Sequence, residues 1–206
     1  MCDIAILNGY CTLAELKSWL VSSGNTFPTD TNDDAVLEGI IEAASRFWDG
    51  ETCRYFYKNS VAETRYFTAK DNEIKVGDLV SITTLQTDDG LRTYPNTWDT
   101  DDYDLKPDNA VLDGWPYSKI VLSPITTQIM PNGLSKGVKI SGVFGWPSVP
   151  VSIKEATILL AIAVRNKRFG ENTTSDTVIT SGGVVISPQD VPGIAYRKVV
   201  QFRKRL

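Results

Sequence analysis

Apolar positions early in the chain recur at helical spacing. Leu13, Leu16, Trp19 and Leu20 fall on one face of a helix. Thr12 and Glu15 stand three residues apart, the spacing of a capping box in which each side chain satisfies the other residue's free backbone N–H. The pattern predicts a helix opening at Thr12 and stopping at Gly24. A second helix is predicted from Asn32 or Asp33, carrying Val36, Leu37, Ile40, Ile41, Ala44, Phe47 and Trp48 on its apolar stripe. Asp33, Asp34 and Glu38 lie near its positive end. It ends at Asp49-Gly50 or reaches Cys53, and Tyr55, Phe56 and Tyr57 are then expected to pack where helix meets sheet.

From residue 61 to residue 147 the period shortens to two. Thr64 to Thr68 and Ile74 to Val76 alternate, and Leu79 to Leu85 sets β-branched residues between polar ones. Asp88-Asp89-Gly90 has the composition of a hairpin turn. Tyr103 to Leu105 makes a short strand, and Ile120 to Leu122 and Val138 to Phe144 are the clearest strands of the set. Pro107, Pro116, Pro124 and Pro131 are expected to keep the strands short.

The stretch from Gly142 through Trp146 to Gly170 hands this β region back to helix. Ser152 and Glu155 repeat the capping-box spacing behind Pro150, predicting a helix from Ile153 to Phe169 that stops at Gly170. Its first three turns are apolar almost all round, and such a helix must be buried all round, by its own domain or by a second copy. Ile158, Leu159, Ile162 and Arg165 are the subunit-interface candidates. Residues 171 to 187 read as a mobile or partner-ordered loop, in which Val184-Val185-Ile186 offers a strand to a neighbour. A last helix begins after Pro188, near Asp190 or Pro192. It carries Ile194, Ala195, Val199, Val200 and Phe202 before the terminal Arg203-Lys204-Arg205-Leu206. The expected fold is α+β: a bundle of about four helices from residues 1–60 and 148–206, with an antiparallel β module, residues 61–147, inserted between the second and third helices.

Composition narrows the chemistry. The 206 residues are 42% hydrophobic, enough for a sizeable core, and allow one large domain or two small ones. The longest strongly apolar run, Ile158 to Val164, is far shorter than a membrane span, and the N-terminus does not read as a secretory signal. A net charge of −4 gives no general surplus for gripping nucleic-acid phosphates. The chain has no histidine, so the commonest general base and metal ligand are missing, and serine or cysteine nucleophiles lack their usual partner. Cys2, Cys11 and Cys53 have no metal-ligand spacing and read as reduced thiols of a cytosolic setting. Asp99, Asp101, Asp102 and Asp104 evoke a calcium loop, but the positions that need glycine and glutamate hold Asp104 and Ala110, so the stretch reads as a solvated acidic loop. Ser181-Gly182-Gly183 reads as a flexible turn rather than a phosphate cradle. No catalytic residue, metal or cofactor is expected. Arg203-Lys204-Arg205 is either a solvated helix end or a docking tail. The acidic run from Asp30 to Glu42 polarises charge along the chain in a way that suits head-to-tail contacts.

Several stretches in order resemble the head-to-tail connector (adaptor) proteins of tailed bacteriophages. They are Tyr10-Cys11-Thr12-Leu13-Ala14-Glu15-Leu16-Lys17, Asp33-Asp34-Ala35-Val36-Leu37, Ile40-Ile41-Glu42-Ala43-Ala44-Ser45-Arg46 and Cys53-Arg54-Tyr55-Phe56. Asp78 to Leu85, Tyr103-Asp104-Leu105, and Gly145-Trp146 with Pro150, Ile153-Lys154 and Ala156 beyond it are similar to the longer members, which carry a β insertion. The similarity runs from about residue 10 to residue 205. It implies a structural, non-enzymatic protein of the virion neck, assembled in the host cytoplasm as a ring, usually of twelve copies, beneath the portal. Such a ring extends the channel through which genomic DNA passes without specific binding, and docks the next stopper or tail protein. In the family the C-terminal segment contacts the portal, which falls here on Val200, Phe202, Arg203, Lys204, Arg205 and Leu206. Smaller members lack most of residues 61–147, so the resemblance assigns no partner to that module. Another neck protein, such as a stopper or tail-completion protein, is the alternative; those tend to be smaller and more purely β. An enzyme is the third reading.

Overall fold

The computed structural model describes residues 8–22, 31, 33–169, 179–180, 183–184, 186 and 191–204. The fold is α+β, with an antiparallel sheet inserted between the second and third helices. The chain divides into two compact units, Met1–Phe56 with Val149–Leu206, and Tyr57–Ser148.

In the helical unit, α1 spans Leu13–Ser22 and α2 spans Asp34–Thr52. The first capping box forms: Thr12 N–H donates to Glu15 Oε2 at 2.9 Å, and Glu15 N–H donates to Thr12 Oγ1 at 3.2 Å. Leu16 and Leu20 are buried, but Trp19 is 41% exposed. It sits at the edge of the apolar stripe, where the helix surface turns outward. The position of Gly24 lies outside the described residues. In α2, Leu37, Ile40, Ile41, Ala44 and Trp48 line the core, and the helix runs past Gly50 to Thr52. Cys53 ends it in the left-handed conformation, with φ 53°.

Helix α3 spans Val151–Phe169. Its second capping box does not form. Pro150 O accepts the N–H groups of both Ile153 and Lys154 at 3.0 Å, so the helix starts one residue before Ser152, which falls inside the first turn. Ile153, Ala156, Thr157, Ile158, Leu160, Ala161 and Val164 are buried. Helices α1, α2 and α4 (Gly193–Val199) pack on three sides of α3. On the remaining side Leu159, Ile162 and Ala163 are half-buried. All-round burial is therefore not reached within this unit. Two short strands, β7 (Ile179–Thr180) and β8 (Gly183–Val184), pair antiparallel with each other, so Val184 finds its partner in its own chain. After α4 a 3-10 turn, Val200–Phe202, completes the described helical segments.

The sheet unit contains β1 (Glu63–Phe67), β2 (Glu73–Thr87), β3 (Asn96–Trp98), β4 (Tyr103–Lys106), β5 (Tyr117–Leu122) and β6 (Val138–Phe144). Their order is β1-β6-β2-β5-β4, all antiparallel, with β3 on the far half of β2. The two short strands expected over residues 74–85 are one strand of 15 residues. Its first half pairs with β5 and its second with β6, and register shifts between Lys75 and Leu79, Leu79 and Ser81, and Ile82 and Thr84 bend it between partners. Gly77, at φ 82°, supplies a conformation the bend uses. The prolines lie in loops and do not limit β2. Asp88-Asp89-Gly90 opens a connection through residue 95 rather than a tight hairpin: Asp89 Oδ1 accepts Leu91 N–H at 3.0 Å and Asp88 Oδ1 accepts Arg92 N–H at 2.7 Å. The core gathers Ile74, Leu79, Leu85, Trp98, Ile120, Val138, Ile140 and Phe144. The aromatic trio separates: Tyr55 is exposed, Phe56 is buried in the helical unit, and Tyr57 opens the sheet unit.

Candidate interaction surfaces of the helical unit

A groove of about 460 Å³ runs between α1 and α3. Helix α1 contributes Ala14, Glu15, Ser18 and Trp19; α3 contributes Val151, Lys154, Glu155 and Ile158. Its apolar parts are the Trp19 ring, the Ile158 floor and Val151, which is 69% exposed. Its rim is ionic. Glu15 pairs with Lys154 at 2.7 Å, and this contact, with the Thr12 cap, holds the Glu15 carboxyl below its usual range. Glu155 pairs with Lys198 of α4 at 2.6 Å.

Helix α4 presents a second surface. Ala195 and Val199 point into the core, leaving Ile194 61% and Val200 48% exposed, with Arg197 exposed between them. The C-terminal segment is built into the bundle. Phe202 is buried, with its ring edge-on to Phe56 at 5.5 Å, and Phe56 is edge-on to Tyr10 at 5.6 Å. Arg203 Nε donates to Glu51 O at 2.9 Å, its Nη2 reaches Glu51 Oε2 at 2.6 Å, and Lys204 N–H donates to Thr52 O at 3.0 Å. The carbonyls at the end of α2 thus find donors, and a cation lies at the negative end of its dipole.

The sequence-predicted residues therefore divide. Val200 and Lys204 are on the surface, Arg203 is exposed but tied to α2, and Phe202 faces the core; Arg205 and Leu206 lie outside the described residues. Ile158 floors the groove, Leu159 and Ile162 lie half-buried on α3, and half-buried Arg165 bonds Asn166 Oδ1 at 3.2 Å.

A buried polar cluster escaped the sequence reading. Tyr10 donates its hydroxyl proton to Asp49 Oδ1 and accepts Phe56 N–H at 2.9 Å, while Tyr10 N–H donates to Ser45 Oγ at 3.1 Å. Arg46 Nε lies 2.8 Å from Asp49 Oδ2, a charge contact. Asp49 is 8% exposed, and burial lifts its carboxyl to about 6 despite the Tyr10 bond and Arg46. Burial likewise pushes the Tyr10 hydroxyl up, and the Cys11 thiol up to about 12, which removes Cys11 as a nucleophile at neutral pH. Asp49 continues the buried stripe Ile41, Ser45, Trp48 at helical spacing, and that register was the available signal.

The acidic loop has a structural use. Asp102 Oδ2 accepts Asp99 N–H at 2.9 Å and its Oδ1 accepts the Thr126 hydroxyl, holding its carboxyl low. Among the described residues no acidic, cysteine or histidine side chains are grouped to hold a metal, and no helix is long and apolar enough to cross a membrane.

No protein-family model matches the sequence, and no curated protein matches it. Among solved structures, a chain of one described as "Virion of native gene transfer agent (GTA) particle" aligns at 15% identity and TM-score 0.48, over 100% of this chain and 95% of that one. A chain of the "Neck of empty GTA particle computed with C6 symmetry" aligns at 16% identity and TM-score 0.54, over 98% of this chain and 93% of that one, so the two share a fold over nearly their whole lengths.

Proposed function

We propose that this chain is a structural protein of a phage-type virion neck, an adaptor that assembles as a ring beneath the portal, extends the DNA channel and docks the next neck or tail protein. The observation that carries the reading is the shared fold, along nearly the full length of both chains, with a chain of a particle neck. A neck computed with sixfold symmetry is the setting in which a ring of copies belongs. The ordered resemblance to phage connector proteins points the same way, with twelve as the proposed copy number. Two surfaces of the helical unit support assembly: the α1–α3 groove, and the outward side of α4 with Val200 and Lys204, the part of the C-terminal segment available to a portal. A negative net charge suits a conduit that must not hold the DNA passing through it. Catalysis has no part in this function, and the stopper or tail-completion alternative gains no specific observation.

The test is mass measurement of the purified protein, alone and with portal particles, followed by imaging. Closed rings that cosediment with portal are the expected result. A protein that stays monomeric and unattached in both conditions would refute the reading.

A further inference from the structure

Building on the ring reading above, we infer that copies join by strand addition: the β7–β8 hairpin of one copy pairs, through β7, with an open edge of β2 in the next. The acceptor is a stretch of β2 with a strand on one side only. On that side β6 pairs with it from Leu79 to Thr87. On the other side β5 pairs last at Leu79 and β3 begins at Leu85, so among the described residues Val80 to Thr84 have no strand beside them. A cleft of about 540 Å³ opens here, with Val80, Ser81 and Ile82 on one wall and Tyr103, Leu105 and Tyr117 among its other lining residues. Consecutive strand residues point to opposite faces, so a cleft that touches all three runs along the edge of β2.

Sheet edges that must stay free are guarded by charge, by proline or by being short. The other edges of this sheet follow that rule. Strand β1 carries Glu63 and Arg65, β4 carries Asp104 and Lys106 ahead of Pro107, and β3 is three residues long. Val80-Ser81-Ile82-Thr83-Thr84 has neither charge nor proline, and Ser81, Thr83 and Thr84 are exposed.

The hairpin is unguarded in the same way. Residues 177–187 contain no charge, and β-branched residues stand on both sides of Ser181-Gly182-Gly183. Strands β7 and β8 form a two-stranded sheet that no third strand joins among the described residues. A hairpin of two strands is marginal until another element completes it. Strand β8 lies beside α2, which leaves β7 as the outer strand. One chain thus carries two different uncharged edges, each lacking one neighbour, and this match selects a second copy as the occupant. Backbone hydrogen bonds supply the contact, as in other cases of strand addition, and no ion pair has to open for it. Two unlike surfaces make a heterologous contact, the kind that closes into rings.

Cross-linking tests the pairing in a Cys2→Ser, Cys53→Ser background, where the remaining Cys11 is buried. Thr83→Cys and Thr180→Cys on separate chains, mixed under assembly conditions with a short bis-maleimide, should give covalent heterodimers. Both substitutions on one chain should give a ladder of multimers. Thr83→Lys guards the edge instead. The position is exposed, so the melting temperature should stay that of wild type, while the midpoint of assembly in sedimentation should rise at least about tenfold, because an ammonium group must be desolvated at the contact. Rings that form without these cross-links, with Thr83→Lys unaffected, would overturn the strand pairing and leave the ring reading standing. So would a double variant that cross-links only within single chains. Wild type that never exceeds a monomer, alone or with portal, overturns the ring reading and the pairing with it.

Discussion

Single atoms decide two positions. Gly145 holds φ at 112°, and a Cβ there would lie 2.0 Å from Tyr57 O. The close approach is bonded on both sides, Gly145 N–H to Asp78 O at 2.9 Å and Trp146 N–H to Tyr57 O at 3.2 Å. Gly145→Ala must break one of these or strain the backbone, and should cost the sheet unit at least about 3 kcal/mol. Urea unfolding measures it, and a wild-type midpoint would refute the geometry. Asp49 governs a pH response. Its carboxyl, lifted to about 6, holds a proton that the unfolded chain releases near pH 4. Between those values the folded state binds more protons, so this group's stabilisation is full below about pH 4 and is lost as pH rises through 6. Lowering pH from 7.5 to 5 should stabilise the helical unit by about 1 kcal/mol through Asp49. Burial raises Glu42 as well, so the comparison is with Asp49→Asn, whose stability should change less over the same range. Equal pH slopes in variant and wild type would remove Asp49 from this role.

At the scale of elements, the same signature succeeds once and fails once. Thr12 and Glu15 bond each other because Thr12 stands at the cap position, directly before α1 begins at Leu13. Ser152 and Glu155 do not, because α3 begins at Val151, with Pro150 O accepting the Ile153 and Lys154 N–H groups, so Ser152 lies inside the first turn instead of at the cap. Capping-box spacing is legible in a sequence; a helix start shifted by one residue, which removes the box, is not. The helices of the bundle were readable from period, and most strands from alternation. The bent β2 was not, since Gly77-Asp78 reads as a break between strands when it lies within one. The groove was legible only in part: Ile158 was marked by its apolar helix, while Trp19 was assigned to the core. The last segment shows the clearest difference between sequence and structure. Phe202, read as part of a docking tail, packs on Phe56, so Phe202→Ala should destabilise the helical unit by about 3 kcal/mol. Val200→Ser, two residues earlier and half exposed, should stay within about 0.5 kcal/mol. Thermal melts of the two variants check this, and equal effects would mean that the tail does not pack as described.

At the scale of the whole molecule, the chain crosses between its units only at Phe56–Tyr57 and Ser148–Val149. Each unit encloses its own core. The sheet unit's buried cluster lies within Tyr57–Ser148, and the helical core draws on Leu16, Leu20, Leu37, Ile40, Ile41, Trp48, Ile153, Leu160 and Val164. The ion pairs Lys17–Asp34, Lys154–Glu15, Lys198–Glu155 and Arg203–Glu51 all join parts of the helical unit, and Lys119–Glu73 joins β5 to β2 in the sheet unit. A unit that owns its core and its cross-links has the means to unfold as a cooperative block. Unfolding of the full chain should therefore depart from two-state behaviour. Far-ultraviolet circular dichroism at about 222 nm weights the helices, and hydrogen exchange resolves the strands separately. Gly145→Ala should move the loss of strand protection to lower denaturant and leave the helical transition in place. Phe202→Ala should do the reverse, because its lost contact with Phe56 lies wholly within the helical unit. If both variants shift both signals together, the two cores fold as one cooperative body, and the insertion is a feature of topology rather than of stability.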